Sequence, residues 1–65
     1  MFVIGRNVEV KVEDDQVIIK CKIENVVPTV REFDKSLVFA TTKGGVVVPG
    51  TRLRLDLNLY RLKTE

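Results

Sequence analysis

The chain contains no histidine and no tryptophan, and only one cysteine, one alanine and one tyrosine among its 65 residues. Each shortage narrows the possibilities. Without histidine there is no imidazole base to activate a serine, threonine or cysteine nucleophile, and no Cys/His zinc cage can form. A single cysteine, Cys21, forbids an internal disulfide, so no covalent staple offsets the small size; with no secretion signal it fits a reducing compartment. The opening Met-Phe-Val-Ile-Gly-Arg has too few apolar residues before its first charge for a signal peptide or a membrane span. The expectation is a cytoplasmic, non-membrane protein.

The near-absence of alanine is as telling. Ala40 stands alone against twelve valines and four isoleucines, a bias that favours strands over helices. Charged residues make up 31% of the chain, with few Asn, Gln, Met and Cys, a thermophile-like composition. The net charge of +2 hides an asymmetry. Residues 1–34 carry five basic and seven acidic side chains (net −2), and residues 35–65 carry six basic and two acidic (net +4). The basic half agrees with an anion-binding surface there.

Alternation is the dominant pattern. From Thr51 to Tyr60, leucines 53, 55, 57 and 59 fall on one parity, and Arg52, Arg54, Asp56, Asn58 and Tyr60 on the other. Side chains of a strand alternate between faces, so this run predicts a long strand with one buried and one wet face. A second alternator covers residues 2–13, with Gly5 a candidate bend and Arg6 interrupting its apolar parity. Asp14-Asp15 predicts a turn joining residues 8–13 and 16–24 into a hairpin. Thr29-Val30-Arg31-Glu32 has the form of a helix capping box, and Val30 and Phe33 are spaced as one helical turn over a core requires. Residues 37–42 and 46–48 read as strands around the Lys43-Gly44-Gly45 turn, and Pro49-Gly50 matches the centre of a type II turn.

These elements predict a single all-β domain over 1–65, with either one short helical turn or a tight loop near 29–35. Five strands in so few residues point to a small, strongly coiled barrel, OB-like or Sm-like in architecture, because closure removes exposed edges. Twelve residues of straight strand span roughly 40 Å, against a diameter of roughly 28 Å for a compact domain of this length. The 51–62 segment must therefore coil or overhang onto another subunit.

Nothing in the chain has the spacing of a catalytic or cofactor site. Cys21 lies on the apolar parity of its strand, where a buried inert thiol is the ordinary reading. Glu13-Asp14-Asp15 lacks the spaced ligands of a calcium loop, and Lys43-Gly44-Gly45 lacks the phosphate-loop spacing. No enzyme activity, metal or cofactor is expected. Two readings remain. In the first, a basic sheet face binds DNA or RNA, with Lys20, Lys22, Lys43, Arg52 and Arg54 on phosphates, Asn58 on base edges and Tyr60 as a stacking platform. In the second, the protein is a structural or protein-interaction module that forms a homodimer or higher oligomer. Val46, Val47, Val48 and Leu62 would then supply an apolar interface.

Overall fold

A computed structural model describes residues 1–64. They form β1 (Phe2–Val3), β2 (Glu9–Glu13), β3 (Gln16–Lys20), β4 (Thr29–Arg31), β5 (Ser36–Thr41), β6 (Val46–Val47), β7 (Arg54–Leu55) and β8 (Asn58–Arg61). The protein is all-β, as the valine-rich composition predicts. The five-stranded barrel is not what forms. Eight short strands make three small antiparallel sheets, ordered β1-β2-β3, β4-β5-β8 and β6-β7, with no closed barrel among the described residues. Among the described residues no helix is long and apolar enough to cross a membrane.

The hairpin around Asp14-Asp15 forms with Glu13 opposite Gln16 and Val10 opposite Ile19. Asp14 adopts a left-handed backbone (φ 54), a conformation that the short polar Asp side chain tolerates. The second arm leaves the ladder after Lys20, because the main chain of Lys22 is captured by the side chain of Asn7. The Lys22 amide donates to Asn7 Oδ1 (3.1 Å), and Asn7 Nδ2 donates to the Lys22 carbonyl (3.0 Å).

Residues 29–35 contain no helical turn. Thr29, Val30 and Arg31 pair with Val38, Leu37 and Ser36 as a hairpin arm. Asp34 decides this outcome: its carboxylate accepts from Arg31 Nε (3.1 Å) and NH2 (2.7 Å), and from the Ser36 amide (3.1 Å) and hydroxyl (2.7 Å). Those bonds close the 32–35 turn and leave the capping-box residues extended. Phe33, expected over the core, sits at the turn tip with 95% of its surface exposed.

The alternating run of residues 51–60 is not one strand. Pro49-Gly50 makes the expected turn, with Gly50 at φ 80 and the Thr51 amide donating to the Val48 carbonyl (3.1 Å). Arg54–Leu55 then pairs with Val46–Val47, and Asn58–Arg61 pairs with β5 instead. Between them, Thr42 takes Leu57 out of any ladder: the Leu57 amide donates to Thr42 Oγ1 (2.9 Å), and the Thr42 amide donates to the Leu57 carbonyl (3.0 Å). The run serves two sheets, and its leucines do not share one buried face. Leu55 and Leu57 pack on the core, while Leu53 is 61% exposed.

The core itself is small: Ile4, Val8, Val10, Ala40 and Val48, flanked by Val17, Cys21, Val46, Leu55 and Leu57. The sheets meet there through the tight loop 4–8. The Arg6 amide donates to the Thr41 carbonyl (2.8 Å), and the Thr41 amide donates to the Arg6 carbonyl (3.1 Å). Gly5 makes this approach possible; it has φ +64, and a Cβ there would press on the main chain of Thr41 and Thr42. The resulting body measures 40 × 23 × 15 Å, with a radius of gyration of 12.8 Å. That exceeds the roughly 11 Å of a compact domain of this length.

Candidate functional site

The outer face of the β4-β5-β8 sheet carries the best-defined site. Residues directly opposite in an antiparallel pair share a face. Thr29, Val38 and Tyr60 therefore form one row, and Thr41 and Asn58 another. Val38 and Thr41 are three apart, so in a regular strand they would point to opposite sides. A β-bulge between Val38 and Ala40 corrects the parity, because one extra residue shifts every later side chain to the other face.

Side chains from the 4–8 loop hold the bulge open. Arg6 donates from NH2 to the Val38 carbonyl and from NH1 to the Val27 carbonyl (3.0 Å), while Asn7 Nδ2 donates to the Phe39 carbonyl (2.9 Å). The result is an open groove of about 270 Å³ lined by Arg6, Thr29, Val30, Arg31, Val38, Thr41, Lys43 and Asn58. This volume falls just below the roughly 300–1,000 Å³ of pockets that enclose a drug-sized ligand. An open trough of that size suits a chain lying across it better than a small molecule sealed within.

The polar groups around the groove are ordered. The Lys43 amide donates to Thr41 Oγ1 (3.0 Å), and the Thr41 hydroxyl donates to Asn58 Oδ1 (2.6 Å). With its oxygen engaged, Asn58 presents its NH2 donors outward. Arg31 lies over the ring of Tyr60, 4.6 Å from the centroid, a cation–π contact that fixes both side chains. Arg31 also holds the Asp34 carboxyl well below the usual carboxylate range, with Ser36 contributing second. Arg6 differs from Arg31. Its two hydrogen-bond acceptors are neutral main-chain carbonyls, and it forms no ion pair among the described residues. Arg6, Arg31 and Lys43 thus line the groove, and Arg31 is paired with Asp34 beyond its lining.

Of the residues expected at a nucleic-acid surface, Lys43 and Asn58 line the groove, and Tyr60 borders it through Arg31. The other four lie apart from it. Lys20 ends β3 opposite Glu9. Lys22 follows that strand, Arg52 sits in the turn before β7, and Arg54 on β7 faces Val47. Among the expected interface residues, Val48 is buried in the core and Val46 packs half-buried against it, whereas Val47 and Leu62 are exposed. Arg6 and Arg31, absent from the sequence-based expectation, are the site's principal cations. The only sequence signal for Arg6 was that it broke an apolar parity next to a glycine.

Elsewhere, burial pushes the Cys21 thiol up, which disfavours the reactive thiolate. Glu13 pairs with Lys11 at 2.9 Å. Among the described residues no three His, Cys, Asp or Glu side chains group as metal ligands. Comparison of the chain with protein-family models, curated proteins and solved structures finds no match.

Proposed function

We propose that the protein binds single-stranded or structured nucleic acid across the outer face of the β4-β5-β8 sheet. The observation that carries this reading is the uncompensated Arg6 guanidinium, held in place by main-chain carbonyls beside Arg31 and Lys43. A half-buried positive charge with only neutral partners gains most from an anion. Phosphates fit the groove chemically: Arg6 and Lys43 neutralise them beside the Asp34-paired Arg31, the amide of Asn58 donates to a sugar or base edge, and Tyr60 offers its remaining ring face for stacking. Arg52, Arg54, Lys20 and Lys22 contribute only to the long-range field in this arrangement.

Salt dependence tests it. Two phosphates neutralised on a single strand, by Arg6 and Lys43, give a slope of about −1.4 for log K against log salt, hence a loss of roughly sevenfold in affinity between 50 and 200 mM. Fluorescence anisotropy with a labelled 12-nucleotide DNA and its RNA counterpart reads this directly. Lys43→Ala should reduce the slope by about 0.7, whereas Arg52→Ala with Arg54→Ala should leave it nearly unchanged. No binding at 50 mM salt, or a slope indifferent to Lys43→Ala, overturns the assignment.

A further inference from the structure

Building on the function proposed above, we infer that the ligand is single-stranded, and that Asp34 withdraws Arg31 from phosphate binding and commits it to positioning Tyr60 under an unpaired base. Arg31 presents its planar fork to the Asp34 carboxylate, from Nε to Oδ1 at 3.1 Å and from NH2 to Oδ2 at 2.7 Å. A bidentate pair of this kind occupies the guanidinium edge that would otherwise clasp a phosphate. The carboxylate is anchored in turn. Ser36, itself fully buried, donates to Asp34 Oδ1 from its amide (3.1 Å) and its hydroxyl (2.7 Å). Glu32 and Lys35 pair across the same turn at 2.8 Å. The end of the β4-β5 hairpin therefore holds two cations and two carboxylates in matched pairs, with no net charge to offer.

What the ion pair leaves free is the flat face of the guanidinium, and that face lies over the Tyr60 ring, 4.6 Å from its centroid. The register explains the meeting. Thr29 is opposite Val38, and Val38 is opposite Tyr60; Arg31, two residues beyond Thr29, shares their side of the sheet. Tyr60 is braced on one ring face yet remains 48% exposed. A ring held from one side and open on the other is the platform on which a base stacks.

The charge count then selects the form of the ligand. With Arg31 committed, Arg6 and Lys43 are the groove's remaining cations, and neither forms an ion pair among the described residues. Non-specific affinity for a duplex comes from many such charges following its phosphates, and two do not make a track. Stacking has to supply the rest, and in a duplex the base faces are already covered by their neighbours. A single strand leaves them open to an aromatic side chain. Asn58 precedes Tyr60 by two residues on the same face of β8, about 7 Å along the strand, and it lines the groove with Arg6 and Lys43. A strand whose phosphates lie in the groove thus reaches Tyr60 with its next base.

Anisotropy titrations compare the labelled 12-nucleotide DNA with the same strand annealed to its complement, each variant's fold being checked by far-UV circular dichroism. At 200 mM salt the single strand should bind at least fivefold tighter than the duplex. Tyr60→Ala should weaken single-strand binding by about 5- to 150-fold, the worth of one stacked base, with the salt slope unchanged; Tyr60→Phe, which keeps the ring, should bind nearly as wild type does. Arg31→Met combined with Asp34→Asn removes a neutral pair as a unit. It should cost about two- to fivefold and also leave the slope unchanged. Asp34→Asn alone releases Arg31 to a phosphate and should steepen the slope by about 0.7. The chain has one tyrosine and no tryptophan, so its intrinsic fluorescence belongs to Tyr60 and should be quenched in step with single-strand binding. A single strand that binds with the expected slope but no tighter than the duplex, or with affinity indifferent to Tyr60→Ala, overturns the inference and leaves the proposed function standing. The same holds if the Arg31→Met, Asp34→Asn double variant flattens the slope by about 0.7, since Arg31 then contacts a phosphate in the native protein. Binding of neither form overturns both.

Discussion

Replacing Gly5 by alanine should cost this protein a large fraction of its stability, although only one methyl group is added. Three contributions follow from the geometry. Gly5 sits at φ +64, where a residue bearing a Cβ is penalised by about 1–2 kcal/mol. The new Cβ would also lie 2.7 Å from Thr42 Cα, and closer still to the Thr41 carbonyl oxygen. Main chain cannot rotate away as a side chain can, so the 4–8 loop must withdraw from the end of β5. Withdrawal breaks the reciprocal Arg6–Thr41 hydrogen bonds, worth about 1 kcal/mol each. The sum is about 3–4 kcal/mol, against a total of roughly 3–10 kcal/mol for a domain of this length. Urea unfolding followed by far-UV circular dichroism measures it, and the melting temperature should fall by roughly 12–30 °C. Gly44→Ala is the control. That residue is at φ +102 with nothing within 4 Å of an added Cβ, so it carries backbone strain without the clash. If Gly5→Ala proves no more destabilising than Gly44→Ala, the close approach of loop and strand is not what joins these sheets.

Asn7→Ala removes bonds to both Lys22 main-chain groups and to the Phe39 carbonyl. A loss of about 2–4 kcal/mol is expected; Asn7→Gly, which keeps the left-handed backbone at φ 60, should lose nearly as much, and a neutral Asn7→Gly in urea titrations would show that only the backbone matters. Asp34 is held below its ordinary value by Arg31 and then Ser36, so its contribution is complete above the unfolded value of about 3.9 and fades as pH falls toward the lower folded value. Wild type should therefore exceed Asp34→Asn in urea midpoint at pH 6, with the gap narrowing below about pH 4; a gap constant down to pH 2.5 would contradict the arrangement.

The parts of the fold that were legible from the sequence are those set by neighbours in the chain. The Asp14-Asp15 hairpin, the 37–42 strand and the Pro49-Gly50 turn combine alternation with turn residues a few positions away. The misreadings arise where side-chain hydrogen bonds override the local pattern. Nothing near Leu57 announces that Thr42 will seize its backbone, and the leucine alternation runs through the break without a slip. Likewise Thr29-x-x-Glu32 satisfies a helix cap on paper, but the short-range bonds of Asp34 to Arg31 and Ser36 favour an extended arm. The groove was the least legible feature. It depends on a bulge at Phe39 whose cause lies over thirty residues upstream, in the side chains of Arg6 and Asn7. Lys43, Asn58 and Tyr60 stand out in the sequence by their chemistry, but the cations that the fold places beside them, Arg6 and Arg31, come from segments that read as a break in parity and a helix start.

The groove draws on residues 6, 29–31, 38, 41, 43 and 58, nearly the whole span of the chain, so no fragment and no unfolded conformer can present it. Under the proposed function, occupancy and folding are consequently one linked equilibrium. A ligand at a hundred times its dissociation constant adds about 2.7 kcal/mol to the native state, comparable to the whole reserve of a marginal 65-residue domain. The chain should accordingly be most resistant to heat and proteases when its groove is filled. A rise in melting temperature is then a label-free means of screening for what fills it.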